Sequence, residues 1–260
     1  MTDTNKFFKS AFSVDNVIFG FDESDLKVLL IKRGEAPFAG KWALPGDLVY
    51  PNEDLDTAAG RVLEELAGLK NVYLEQVHTF GAVNRHPLGR VITIAYFSLV
   101  KINALNPTPV PKLARSSSIT AHSVHWMSVE KVQNAKDLAF DHNDIFHACF
   151  QRLQRQVRSR PVGFELLPPK FTLTELQHLY ESVLQTELDK RNFRKKILSM
   201  DILVDLKEMQ AGVAHRPAKL YKFDQDKYNK AVEKGMSFEL KESKPKKETE
   251  KKSAVLASHF

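Results

Sequence analysis

The sequence predicts an α+β protein in two parts, and three observations carry that prediction. Over residues 1–140, β-rich and alternating runs are interleaved with a few helix-patterned segments, which implies an α/β or α+β sandwich. From residue 161 the pattern turns helical and then closes on a pair of strands. Between the two lies "SRPVGFELLPPK", a proline-punctuated connector.

The elements follow in order. "FSVDNVIFGF" and "LKVLLIKR" are strands around the turn "DESD", and "GEAPFAGKWALPGD" is a loop punctuated by Gly and Pro. "LDTAAGRVLEELAGL" is a helix, with Leu55, Ala58, Ala59, Val62, Leu63 and Leu66 at helical spacing and Gly68 as its stop. "NVYLEQVHTFG" and "RVITIAYFSLV" are strands joined by a polar loop, and "HSVHWMSV" is a shorter strand. "DHNDIFHACFQRLQRQVR" is a helix with Ile145, Ala148, Cys149, Leu153 and Val157 on one face. After the connector, "FTLTELQHLYESVL" is a helix opened by the capping box Thr172-x-x-Glu175. "LDKRNFRKKILSM" is a second helix with Asp189 near its start, and "ILVDLKEM" and "PAKLYKF" are strands around "QAGVAHR". Helix, short turn, helix and hairpin is the outline of a winged helix.

Composition narrows the class. The 260 residues carry 43% hydrophobic and 27% charged residues, ordinary for a chain able to bury a core. The lone Cys149 excludes an intramolecular disulfide and fits a reducing compartment. The N-terminus lacks the apolar run of a signal peptide, and no apolar stretch approaches the roughly 20 residues a membrane helix needs, so a cytoplasmic protein is expected. Half of the net charge of +6 sits in residues 241–260, where six lysines face three glutamates. The overall balance therefore says little about nucleic acid, and local clustering says more.

The stretch from Asp47 to Leu69, "DLVYPNEDLDTAAGRVLEELAGL", carries the first motif. Asp47, five residues, Glu53, seven residues, Arg61, then Leu63, Glu65, Gly68 and Leu69 resemble the Nudix box without insertion, and "KWALPGD" resembles its lead-in. The resemblance covers residues 11–140 and implies an α/β/α sandwich with a mixed sheet. Nudix hydrolases hold a divalent ion against a diphosphate with carboxylates on one helical face. The family's three carboxylates map here to Val62, Glu65 and Leu66, and Asp47 replaces a glycine of the entry turn. One carboxylate between apolar neighbours makes a poor site for a hard cation. Neither a metal cofactor nor hydrolysis is therefore expected. Glu53, Arg61 and Glu65 are open to two readings: direct ligand contact, or an ion-pair network that holds the turn.

The second motif is "LDKRNFRKK", five basic residues and one acid in nine positions. Lys190, Arg191, Arg194 and Lys195 share one face of a helix, while Phe193, Ile197 and Leu198 can anchor the core from another. A basic face with an apolar back suits a recognition helix in a DNA major groove, or is simply a solvated basic surface. On the first reading Arg191 and Arg194 reach guanines, Asn192 an adenine, and Lys190 and Lys195 phosphates. Arg216 and Lys219 on the wing meet the backbone or the minor groove.

Taken together, the degenerate box, "FTLTELQHLYESVLQTELDKRNFRKKIL" and "HRPAKLYKF" resemble the Nudix-related transcriptional regulators of the NrtR type. Within them the chain is similar to the sugar-responsive branch that includes the arabinose regulator AraR of Bacteroides-type bacteria. The resemblance implies a Nudix-like sensing domain over 1–140, a linking helix over 141–160, a winged helix over 161–240 and a disordered basic tail over 241–260. It also implies a homodimer on double-stranded operator DNA, released by a small molecule. A diphosphate effector of the ADP-ribose kind wants cations, and Arg33, Lys41, Arg85 and Arg90 are available. A free sugar wants an aromatic platform with carboxylates and amides, for which Phe38, Trp42, Glu53, Asn84, Asp141 and His142 could serve, with Glu65 beside them. Two competing readings are an active ADP-ribose pyrophosphatase carrying a DNA-binding module, and a ligand-binding protein whose basic helix is incidental.

Overall fold

Alternation in three long strands sets the architecture. β1 (Ala11–Phe21), β2 (Leu26–Arg33) and the later β6 (Val91–Lys101) are buried almost along their whole length. Val14, Ile18, Leu29, Ile31, Ile94 and Tyr96 enter one apolar cluster, and Val17, Phe19, Val28, Leu30, Ala95 and Phe97 enter another. A strand with period-2 side chains that is apolar on both faces has to be covered on both. The computed structural model describes residues 10–22, 24–102, 121–212, 216–236 and 238. The expected disordered tail over 241–260 and the middle of the wing turn, residues 213–215, lie outside them.

β3 (Trp42–Ala43) and β4 (Gly46–Leu48) are short strands within the segment read from sequence as a loop. α1 (Leu55–Ala67) starts at Asp54, whose side chain accepts from the Thr57 amide, and stops at Gly68 in the left-handed conformation. β5 (Tyr73–Phe80), β6 and β7 (Ala121–Ser128) complete a seven-stranded sheet in the order β3-β2-β1-β6-β5, with β4 beside β1 and β7 beside β2. β1 and β6 run parallel and the other pairs antiparallel, so the sheet is mixed as expected. One edge of β1 is shared: β4 takes Ser13–Asp15 and β2 takes Phe19–Phe21. The sheet splits between them, and the cleft described below opens at the β4 end.

α1 covers one face with Ala58, Ala59, Val62, Leu63, Leu66 and Ala67. After the short α2 (Val129–Asn134), α3 (His142–Ser159) covers the other. The buried stripe of α3 is Ile145, Phe146, Cys149, Phe150, Leu153 and Val157, with Ala148 outside it. The sequence reading missed Phe146 and Phe150, whose rings stand 6.2 and 6.0 Å from Phe19.

A 3-10 turn (Pro161–Leu166) leads to β8 (Phe171–Thr172), α4 (Leu173–Leu184), α5 (Lys190–Ser199), β9 (Leu203–Met209) and β10 (Lys219–Phe223). The strands form a small sheet in the order β8-β10-β9, and α4 opens on the predicted capping box of Thr172 and Glu175. α6 (Gln225–Glu233) was not expected: none of its residues is buried, so it has no apolar stripe to announce it. The two parts share one core. The cluster beneath α3 runs without a break from Phe19 and Phe97 through Phe150 and Phe164 to Leu179, Phe193 and Ile197. Among the described residues no helix is long and apolar enough to cross a membrane.

Candidate functional site

At the split in the sheet lies a cleft of about 420 Å³, within the usual range for a small-molecule site. Its floor is β1 and β4 (Ser13, Asp15, Gly46, Asp47) and its walls are the loop before β6 (Arg85, His86, Arg90) and the start of α3 (Phe140, His142), with Arg33 from β2. Three guanidinium groups thus face two carboxylates. Arg33 is 7% exposed; burial presses its pKa down, opposed by Asp15 and Glu35. Its Nε donates to the Pro37 carbonyl at 2.8 Å, and its guanidinium lies 4.9 Å from the Phe140 ring. His86 stacks on that ring, 5.1 Å away and 14° from parallel, with its pKa lowered by burial and then by Arg85 and Arg33. Gly46 is required here. A Cβ at this position would sit 2.0 Å from Asp15 Oδ1 and 2.7 Å from the Val14 carbonyl.

The back wall is held by buried polar contacts. Asp15 Oδ2 accepts from Thr93 Oγ1 at 2.6 Å and lies 3.6 Å from Arg85 Nη2. Arg85 donates twice to Asp141, Nε to Oδ2 at 2.8 Å and Nη2 to Oδ1 at 2.6 Å. His142 Nδ1 accepts from the Leu44 amide at 2.9 Å, and its Nε2 stands 3.4 Å from Asp15. Accepting at Nδ1 requires a neutral imidazole, and burial lowers the His142 pKa in the same direction, against the pull of Asp15 and Asp141. Phe140 has φ 54°, a left-handed backbone that costs a bulky residue about 1–3 kcal/mol.

The box residues lie to one side and serve one another. Arg61 Nε and Nη2 donate to the two Glu53 oxygens at 3.0 and 2.7 Å, Nη1 donates to Asp47 at 3.0 Å, and Glu65 is 3.5 Å away. Nη2 also donates to the Leu48 carbonyl, and the Tyr50 ring lies 3.8 Å from the guanidinium. Val62 and Leu66 are sealed in the α1 cluster with Val14, Ile18 and Tyr96. The donor set does not fit a divalent ion, because the surviving carboxylates converge on an internal cation and the neighbouring positions are hydrocarbon. Of the two readings left open for Glu53, Arg61 and Glu65, the structure displays the ion-pair network.

The cleft gathers Arg33 and Arg90 from the predicted effector set, together with Arg85 and His142. Arg90 Nη1 is tied to the Gly81 and Ala82 carbonyls, bracing the loop. The other candidates do not line it. Phe38 packs edge-on against Phe140, and Trp42 is half-buried against His125 and the core. Asn84 is exposed on the loop, and Glu53 and Glu65 belong to Arg61. Lys41 lies over the Phe38 ring, outside the cleft. The sequence reading missed Asp15, His86 and Phe140. For Asp15 a signal existed: the polar pair Asp15-Asn16 interrupts an otherwise apolar strand.

On the opposite part of the molecule, α5 presents Lys190, Arg191, Asn192 and Lys195 to solvent, with Phe193 and Ile197 buried behind them. Asp189 caps the helix by accepting from the Asn192 amide. Arg194 is half-buried and turned back to α4, donating to Thr174 Oγ1 at 2.9 Å. Leu198, expected to anchor the core, is 47% exposed, because it points off the end of the buried stripe. Arg216 is exposed at the wing, and Lys219, also exposed, pairs with Asp205 at 3.2 Å.

A mixed sheet between two helical layers, with a box-bearing helix, joined to a helix–turn–helix and hairpin, defines a Nudix domain carrying a winged helix. The NUDIX domain family matches residues 9–149, and the NrtR DNA-binding winged helix domain matches residues 163–223. The chain is 35% identical to the ADPR responsive transcriptional repressor NtrR of Acinetobacter baylyi, over 84% of this chain and 83% of that one. It superposes on Shewanella oneidensis NrtR solved with a 27mer DNA, with a TM-score of 0.69 and 30% identity, covering 84% of this chain and 95% of that one. The NUDIX domain of the same Shewanella protein, solved with ADP ribose, matches with a TM-score of 0.50 and 30% identity over 58% of this chain and 93% of that one. The chain belongs to the NrtR family.

Proposed function

We propose that this protein is a winged-helix transcriptional repressor whose Nudix domain binds ADP-ribose without cleaving it. One observation carries the reading: a cleft with Arg33, Arg85 and Arg90 survives beside a box in which Val62 and Leu66 have turned hydrocarbon. A diphosphate is matched by several guanidinium groups, which pair with phosphate oxygens in fixed geometry. The His86 ring, stacked on Phe140 in the cleft wall, offers a flat surface to a heterocycle. A relative carries the name of an ADPR-responsive repressor, and a related domain has been solved with ADP ribose, which supports the same choice. A free sugar is less well served, since Phe38, Trp42, Glu53 and Asn84 do not meet in one place. Lys190, Arg191, Asn192 and Lys195 on α5 then read the operator, with Arg216 and Lys219 on its backbone and Arg194 fixing α5 against α4. The homodimer implied by the family resemblance would present two such helices to paired half-sites. A cytoplasmic location goes with a DNA partner in a cell that needs no import step.

Titration calorimetry tests the effector. ADP-ribose should bind with equal affinity in Mg²⁺ and in EDTA, L-arabinose should give no heat, and no AMP should accumulate. Release of AMP at enzymatic rates would replace this reading with that of an active pyrophosphatase.

A further inference from the structure

Three consecutive residues join the cleft to the helix that reaches the winged helix. Phe140 gives the cleft its ring and His142 part of its wall. Asp141, between them, stands at the N-cap position of α3 and makes no side-chain bond to the helix it opens. Its carboxylate is turned instead to Arg85, which takes both oxygens. N-cap side chains do accept at α1, α2, α4, α5 and α6. Asp141 thus has two uses that exclude each other: it can grip Arg85, or it can turn inward and accept an amide of the first turn.

We propose that the Arg85–Asp141 pair is the element that reports occupancy of the cleft to the winged helix. An anion seated in the cleft draws the Arg85 guanidinium onto its own oxygens, and Asp141 swings to cap α3. Arg85 is placed for the exchange, since its side chain is only 3% exposed yet lines the cleft, so a ligand meets it out of bulk water. The change has a route onward. α3 packs on α4, and Gln154 Nε2 donates at 3.0 Å to the Val183 carbonyl in the last turn of α4, just before the turn into α5. Phe140, next to Asp141, is held with a left-handed backbone, so the segment already stores strain that a new arrangement can release. The inference rests on the cleft being the effector site.

The test is Asp141→Asn, isosteric but without the charge that competes for Arg85. ADP-ribose should bind the DNA-free variant about tenfold more tightly than wild type, and the variant alone should bind duplex DNA more weakly. The ratio of ADP-ribose affinities between DNA-free and DNA-bound protein should fall toward one. An unchanged ratio, with effector affinity equal or lower, would overturn the proposal. Hydrogen exchange on the wild-type protein gives a second measurement that needs no variant. Saturating inorganic pyrophosphate or ADP-ribose should slow exchange at the Asn143 amide, since the Asp144 amide already donates to the Asp141 carbonyl at 3.0 Å. If ADP-ribose binds and the Asn143 amide does not change, the switch fails and the effector reading stands. If pyrophosphate slows it and ADP-ribose does not bind, the effector reading fails and the switch stands. If neither ligand binds, both fail.

Discussion

Arg61 is the cation on which the surviving box carboxylates converge. Asp47, Glu53 and Glu65 all approach it, and the Asp47 and Glu53 side chains are 1% and 8% exposed. Removing the cation strands two carboxylates away from water, which is costly. Arg61→Met should therefore lose about 2–4 kcal/mol, below the fully buried range because Arg61 keeps some exposure to solvent; denaturant melts check it. The pH dependence has a definite sign. The Arg61 hydrogen bonds hold the Glu53 pKa below its usual value. That stability is complete above the ordinary carboxylate pKa, near about 4.3, and is lost as pH falls through the lower folded value. In Arg61→Met this part of the acid limb should flatten, seen in urea midpoints between neutral and acid pH. The Arg61 network was legible as one of two alternatives, since spacing brings Glu53 and Arg61 together without saying what lies between them. Asp15 and Phe140 were not legible. The first is a polar residue in a buried strand, and the second owes its role to a backbone angle.

α1 and α5 show how far an element can be read from period alone. Of the six residues read at helical spacing, Ala58, Ala59, Val62, Leu63 and Leu66 are buried, while Leu55, at the first position of the helix, is only partly buried against the same cluster. Restoring the two family carboxylates should consequently fail: Val62→Glu with Leu66→Glu would drive charges into a sealed apolar cluster. The expected result is loss of the cooperative melt with no gain of ADP-ribose hydrolysis. For α5, Arg191→Ala with Lys195→Ala removes two exposed side chains and should leave the melting temperature unchanged. Operator affinity should fall by about 1–3 kcal/mol for a lost base contact, with a shallower salt dependence for a lost phosphate contact, read by fluorescence anisotropy. If neither changes, the basic face is only a solvated surface. Leu198 and Arg194 mark the limit of such reading: a short helix has too few turns to fix which side of the stripe its last residues occupy.

At the scale of the molecule, the two sequence parts are distinct in pattern but not in core. The connector at 159–170, proposed as a boundary for its prolines, falls where one family match has ended and the other begins, and its Phe164 is buried and stacks on Phe223 at 4.4 Å. Sequence punctuation reports where backbone direction changes and not where burial stops. A continuous core from the sheet through α3 to α4 and α5 means that a shift at one end is felt at the other, because packed interiors have little slack. The central claim is that this chain senses a nucleotide diphosphate and lets go of DNA without consuming it. The direct measurement follows a labelled operator duplex, selected from a randomised pool, by anisotropy as ADP-ribose is added in EDTA, with the nucleotide recovered and assayed afterward. Release of the duplex with ADP-ribose recovered intact is the predicted result. A duplex that stays bound at saturating ADP-ribose, or release that appears only with Mg²⁺ and with conversion to AMP, would contradict it.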